Sequence, residues 1–411
     1  MSYRGCSSVG KDGRRLRRLG LLLVVIVGLI AALPCPQPAA AQTGPTLTLW
    51  PPTNQVVGLG GTNRYFAIYD PDGPGPALPQ WLDPSAVTWV TKSPTVMSVP
   101  SPGVVYGRLR GTSILKAKYQ GLIAKTTVVV SGKLKPYSIT TPDGLTRSYL
   151  LYLPDSYLGA SPRPPTPLVL AFHGGQGSGT IMMYQTQFNT VAAVKNFLVA
   201  YPSGVGGHWN AGGCCGEAAS ADVADVEFVR RLIADVKLRQ NVDDTRIFAT
   251  GFSNGAMLSH RLAFELSDTI AAIAPVGAGL FPGGSFSPGG APRPLSVLQF
   301  MGTTDPDFSY DAVENGITYW RFVNGMAGVP GVTTYTQGIV SCETWLKQGT
   351  EVSFCSAAPP QPVTVGEVTY DGGGHAWPGG VKVYVSWADI PTFDIDASWT
   401  MWQFFERHAM P

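Results

Sequence analysis

Charge is scarce in this chain. Asp, Glu, Lys and Arg make up 14% of its 411 residues, against a globular average of about 25%, and the net charge is only +2. A solvated coiled coil or a charge-driven disordered chain needs far more of these residues, so both are excluded; the 44% apolar content is that of folded domains. Even the small positive balance is local, because Arg4, Lys11, Arg14, Arg15, Arg17 and Arg18 stand against Asp12 alone in the first 41 residues. The remainder is faintly acidic and lacks the basic footprint of a nucleic-acid partner, so none is expected. Cysteine is sparse, at six residues, and no paired C-x2-C spacing occurs, so no metal is expected; no organic cofactor is expected either. No apolar run reaches the ~20 residues that cross a bilayer. What abounds is Gly (49) and Pro (35), the mark of a loop-rich, extracellular type of globular protein.

The length suggests two or three domains. At the N-terminus the basic stretch is followed by an apolar run over 19–33 and by Ala39-Ala40-Ala41, an A-x-A cleavage pattern before Gln42. This is the layout of a secretory signal peptide over residues 1–41, with secretion as its consequence. Its removal leaves Cys214, Cys215, Cys342 and Cys355 in an oxidising compartment, where three pairings are open. Adjacent cysteines rarely bridge each other, so one or both of Cys214 and Cys215 are expected to reach toward Cys342 or Cys355.

From 46 to 131 short β-type runs, at 65–69, 87–91, 96–99, 113–119 and 122–130, alternate with Pro and Gly clusters, which predicts an all-β sandwich. The order Val87-Thr88-Trp89, Gly103-Val104-Val105, Gly111-Thr112 and Val128-Val129-Val130 resembles the bacterial immunoglobulin-like domains (group 2). Such a module implies contact with a polymer or a cell surface, or else a spacer or folding aid. Trp81 and Trp89 are candidates for stacking, against a core role.

After the polar segment 131–136 strands alternate with helices. Runs at 167–172, 197–201 and 246–250 read as strands, and residues 222–237 carry Val226, Val229, Leu232, Ile233 and Val236 at helical spacing. Residues 136–411 are therefore expected to form an α/β domain, a mostly parallel sheet with helices on both faces.

The chemistry centres on Gly251-Phe252-Ser253-Asn254-Gly255, a G-x-S-x-G between a strand and a helix. Glycines flank the serine because so sharp a turn has no room for Cβ atoms, and the turn presents the hydroxyl of Ser253 as a nucleophile. A serine needs a base. Of the five histidines, His173 and His208 precede it, His260 lies on the next helix and His408 is terminal, leaving His375 on the glycine-rich loop after a strand at 365–370. The acid expected is Asp305, at the end of a strand over 295–301, with Asp307 second. Backbone donors for a carbonyl oxyanion are expected from Asn254 and Gly175, the latter in His173-Gly174-Gly175. Trp377 and Trp209 are candidates for lining the substrate cleft, Trp209 with core packing as the alternative.

Seven blocks in order carry a family resemblance: 143–149, His173-Gly174-Gly175, 201–204, 209–216, 251–255, Gly302-Thr303-Thr304-Asp305 and 374–379. The second domain resembles the secreted polyhydroxybutyrate depolymerases, which are similar to feruloyl and acetylxylan esterases of carbohydrate esterase family one. The resemblance implies an α/β-hydrolase fold and places nucleophile, acid and base on Ser253, Asp305 and His375. The chain departs from the family where His-Gly is usual and Met301-Gly302 stands, and where two adjacent acids are usual near Ala224-Asp225. The expected activity is serine ester hydrolysis of polyester, hydroxycinnamoyl or aryl esters, with acetylxylan as the alternative. A peptidase and a non-catalytic binding protein remain the competing classes.

Overall fold

The computed structural model describes residues 44–51, 55–73, 77–288, 293–358, 363–365, 368–370, 373–382, 389 and 391–411. The signal-peptide expectation for 1–41 lies outside them. No helix among the described residues is long and apolar enough to cross a membrane.

Ten short strands come first: β1 (Thr46–Trp50), β2 (Gln55–Gly58), β3 (Thr62–Arg64), β4 (Phe66–Asp70), β5 (Gln80–Trp81), β6 (Thr88–Thr91), β7 (Met97–Ser101), β8 (Val104–Gly107), β9 (Gly111–Tyr119) and β10 (Leu122–Ser131). They form three small sheets, β1-β4-β5, β2-β10-β9-β6 and β3-β8-β7. Alternation drives them: Ser113, Leu115 and Ala117 of β9 point inward while the residues between are more open. Val57, Tyr65, Met97, Val105, Leu115, Val128 and Val130 make the core of this region.

Only Gly132 separates β10 from the next strand, so the polar segment 131–136 is itself mostly strand. Strand β11 (Lys133–Thr140) already belongs to a ten-stranded sheet with β12 (Thr146–Leu153), β13 (Thr166–Phe172), β14 (Leu198–Pro202), β15 (Val242–Phe252), β16 (Ala272–Val276), β17 (Ser296–Gly302), β18 (Val332–Gln337), β19 (Val340–Lys347) and β20 (Thr350–Ala357). The spatial order is β11-β12-β14-β13-β15-β16-β17-β20-β19-β18. The middle from β14 to β20 is parallel, and both edges are antiparallel.

A parallel strand is covered on both faces and reads as a continuous apolar run. β13 is buried at every residue, with Leu168, Leu170 and Phe172 in one core and Val169 and Ala171 in the other. Chain order brings eight helices to the sheet: α1 (Asp155–Gly159), α2 (Gly179–Thr186), α3 (Phe188–Lys195), α4 (Gly216–Ser220), α5 (Asp225–Arg239), α6 (Asn254–Glu265), α7 (Tyr310–Val323) and α8 (Ala397–Phe405). α5 covers the predicted helix from Asp225 onward, runs two residues past it, and buries Phe228, Val229, Leu232, Ile233 and Val236. The run 365–370, expected as one strand, is divided between the paired strands β21 (Val363–Val365) and β22 (Val368–Tyr370).

The all-β region is stitched to the start of α3. Gly58 N–H donates to Thr190 Oγ1 at 3.2 Å, Thr190 Oγ1 donates to Thr62 O at 2.7 Å, and Asn189 Nδ2 donates to Leu59 O at 2.8 Å. At the opposite end of the sheet His408 is tied to Ser296 at 3.2 Å and to Glu351 at 3.0 Å, and Arg407 also donates to Glu351.

Burial pushes the Glu351 carboxyl up, but hydrogen bonds from His408, Arg407 and Ser353 outweigh it and hold the group down at about 2. A depressed carboxylate stabilises the fold above its ordinary value of about 4.3 and loses that contribution as pH falls toward the folded value. Unfolding free energy from urea titrations should therefore decline between about pH 4.3 and 2, and Glu351→Gln should remove that part of the slope. An unchanged slope would show that the cluster is not the source.

Candidate active site

Ser253 stands between β15 and α6 with φ 54° and ψ −121°, a conformation that a side chain adopts only when the surroundings impose it. What imposes it is close backbone approach. A Cβ on Gly251 would fall on the carbonyl of Gly255, and one on Gly255 on the carbonyls of Phe172 and His173. Glycine at both positions lets α6 begin directly against the end of β13. Ser253 N–H donates to Val276 O at 2.9 Å, which seats the serine beside Gly277.

His375 borders the same glycine from the other side: a Cβ on Gly277 would lie 3.2 Å from the imidazole Cε1. Asp305, four residues past the expected strand end, meets it. His375 Nδ1 and Asp305 Oδ2 are 2.7 Å apart, with both side chains 1% exposed. Asp305 Oδ1 accepts the N–H groups of Asp307 and Phe308 at 2.9 and 3.0 Å, so its orientation is set by its own loop. Asp307 is 41% exposed and stands 3.9 Å from Nε2, on the other side of the ring from Asp305. Asp305, Asp307 and His375 offer ligand atoms within 4.8 Å of one another. Three hydrogen bonds already occupy Asp305, however, which suits an orienting acid better than a metal ligand.

Two further features hold the imidazole, and neither was read from the sequence. Its ring lies between Phe252, 4.6 Å away, and Phe308, 5.4 Å away. Asp389 accepts the His375 N–H at 2.7 Å and returns its own N–H to the His375 carbonyl at 3.0 Å. Phe252 and Phe308 are sequence neighbours of the serine and the acid, so their placement follows from those motifs. Asp389 lies fourteen residues downstream outside any motif, and only the folded loop reveals it.

Asn254 opens α6, where the first N–H groups have no intrahelical acceptor and the helix dipole favours negative charge. Its side chain is clamped to the backbone of Trp209, accepting at 2.7 Å and donating at 3.0 Å. Gly175 is half-buried, on the loop after β13, against the His208 ring. That loop is shaped by His173. Gly204 N–H donates to its Nε2 at 2.9 Å, so Nδ1 carries the proton and donates to Gly174 O at 2.7 Å. Burial pushes His173 down to about 4, so the ring is neutral and structural. His260 is likewise buried and pushed down to about 4, bonded to Gln299 and Trp320.

Three expectations are corrected. Trp209 is fully buried: its indole donates to His173 O at 2.9 Å and its rings pack on His173 and Phe228, so it supports the cleft from beneath and does not line it. Trp377 is 1% exposed, bonded to Ser398 and edge-on to Phe188, and is core as well. The cysteines pair differently from the expected exchange. Cys342 and Cys355 face each other in the β19–β20 register and are bonded. Cys214 and Cys215 bridge each other, their Cα atoms brought to 3.1 Å by a cis peptide.

The departure at Asp225 has a structural account. Its carboxylate binds Arg147 at 2.6 Å, and both side chains are almost wholly buried. Its other oxygen accepts the Asn210 N–H at 2.7 Å, fixing the chain beside Trp209. Met301 is simply buried in β17. Gly302 is required there, because a Cβ would fall on the carbonyl of Gly373, where the acid and histidine loops touch.

A parallel sheet, a strained serine at a strand–helix turn and a buried His–Asp pair at the same edge define an ester hydrolase of the α/β-hydrolase class. A family model described as Esterase PHB depolymerase matches residues 147–326, and the chain belongs to that family. NocK of Nocardia uniformis subsp. tsuyamanensis, which carries the name of an esterase, is 30% identical over 264 residues, 59% of this chain and 73% of its own. Feruloyl esterase B of Piromyces equi is 29% identical over 255 residues, 56% of this chain and 42% of its own, so this chain spans less than half the length of that relative. Among solved structures, the acetyl xylan esterase from Aspergillus awamori superposes with a TM-score of 0.47 at 16% identity, over 66% of this chain and 99% of that one.

Replacing Asp305 by Asn should leave the fold intact and lower kcat on a soluble ester by about 10⁴-fold with little change in KM, because the imidazole is then held in the wrong tautomer. A loss under tenfold would remove Asp305 from the role, and Asp307→Asn is the control.

Proposed function

We propose that this chain is a secreted serine hydrolase of carboxylic esters that works through an acyl-serine intermediate. The observation that carries the reading is the buried hydrogen bond of His375 Nδ1 with Asp305, across Gly277 from the strained Ser253. With Asp305 accepting the Nδ1–H, Nε2 is the basic nitrogen. It takes the Ser253 proton as Oγ attacks the ester carbonyl, then returns it to the departing alkoxide, releasing the alcohol. Water repeats the sequence on the acyl-serine, and the carboxylic acid leaves. The carbonyl oxyanion is held by the Asn254 and Gly175 N–H groups. Export is supported by the basic, apolar and small-residue order of the first 41 residues.

The substrates we infer are polyesters of the polyhydroxybutyrate type and hydroxycinnamoyl or aryl esters. Support comes from the family description and from the name of the Piromyces equi relative. Acetylated xylan is the second reading, favoured by the name of the Neocallimastix patriciarum relative, a bifunctional acetylxylan esterase/xylanase. Product release from polyhydroxybutyrate film, methyl ferulate, acetylated xylan and p-nitrophenyl butyrate, each with wild type and Ser253→Ala, tests both. One leading natural substrate and an inert variant are expected. A wild type inactive on all four, and unlabelled by a serine-directed phosphonate, would move the chain to the class of binding proteins.

A further inference from the structure

Apolar rings are costly to leave in water, and contiguous exposed ones mark a contact surface. The seam between the all-β region and the hydrolase sheet carries such a group. Trp50 is 50% exposed, Trp81 59% and Phe393 43%. They meet around Phe66: Trp81 to Trp50 is 6.0 Å between centroids, Trp81 to Phe66 5.7 Å, and Phe66 to Phe393 6.5 Å. Of the two tryptophans considered from the sequence, Trp89 is the inward one, its indole bonded to Pro84 O. Trp81 is not core.

Trp50, Phe66 and Phe393 border a groove of about 370 Å³, within the range of small-ligand sites, and Trp81, packed on Trp50 and Phe66, extends the exposed aromatic surface beside it. Its wall also carries Arg64, whose guanidinium lies 3.9 Å over the Phe393 ring and donates to Gly380 O. No carboxylate pairs with Arg64 among the described residues, and its Nε is buried without a hydrogen bond. Burial pushes Arg64 down to about 10, with Tyr184 opposing the shift. The acid on the wall is Asp396, and it is committed to the N-terminus of α8, accepting the Trp399 N–H at 3.0 Å. The groove also adjoins the catalytic loop, since Gly379 and Ile395 line it and follow His375 in the same segment.

We propose that this groove, together with the exposed Trp81 face beside it, binds a segment of uronic-acid-bearing polysaccharide, its sugar faces stacked on Trp50, Trp81 and Phe393 and its carboxylate paired with Arg64. Charge decides the occupant. An aliphatic polyester offers Arg64 only neutral ester carbonyls, whereas a carboxylate supplies the charge that the guanidinium lacks. Length decides it too, because rings set in succession across two parts of the chain suit an oligomer better than a single aromatic acid. The site rests on the esterase reading only in holding a polymer whose esters the Ser253 centre would cleave.

Binding is read by affinity electrophoresis of the full chain carrying Ser253→Ala in gels of glucuronoxylan or of the same xylan with its carboxyls reduced, and by retention on polyhydroxybutyrate particles. Glucuronoxylan should bind about tenfold tighter than the reduced polymer at low salt, with the gap closing as salt rises. Trp81→Ala should weaken glycan binding about tenfold, and Arg64→Gln should abolish the preference for the acidic form. Trp81→Ala should keep the wild-type midpoint of urea unfolding, which shows that the fold is intact. Equal affinity for the two xylans, no effect of Trp81→Ala, or retention on polyester alone would each overturn the proposal. Glycan binding without any ester turnover would instead overturn the esterase reading and leave the groove standing.

Discussion

The site depends on the absence of side-chain volume where three backbone segments converge. Gly255 meets the end of β13, Gly251 meets the first turn of α6, and Gly302 meets the loop that carries His375. A methyl group at any of these would push the serine, the acid or the histidine away from the common edge of the sheet. Parallel strands all present their C-terminal ends to that edge, so residues distant in sequence arrive together there. The strain at Ser253 is thus sustained by packing around it and not by the serine itself.

Much of this was legible because the needed residue types are few. A serine between two glycines at a strand–helix turn, one histidine of five left by elimination, and an aspartate just past a strand all follow from chemistry that tolerates little substitution. The buried strands were legible for a similar reason, since a strand covered on both faces has to be apolar throughout, as β13 is. Helix α5 was readable from its 3.6-residue stripe alone.

What escaped was long-range and depended on direction. Trp209 and Trp377 lie in motif blocks, yet both face inward, and one-dimensional order does not say which way a loop tryptophan turns. Asp389 holds the backbone on both sides of His375, a function that any folded loop could assign to any nearby acid. The pairing of Cys342 with Cys355 follows from the register of an antiparallel hairpin in a segment where the family resemblance fades. The polar run 131–136 carries Lys133, Lys135 and Pro136, residues well placed on an exposed edge strand, which is where β11 begins.

The seam constrains how the all-β region can be understood. Asn189 and Thr190, at the start of α3, are buried and take their hydrogen-bond partners from Leu59, Gly58 and Thr62. Cutting the all-β region away would expose those groups and the adjoining apolar surface to water, and the apolar surface carries the cost, at about 25 cal/mol per Å². Truncation would therefore damage the hydrolase sheet whether or not the region also binds polymer, and loss of activity after truncation does not separate an anchor from a folding aid. Single replacements of rings that already face water, such as Trp81, remove none of these hydrogen bonds and leave the hydrolase sheet its partners.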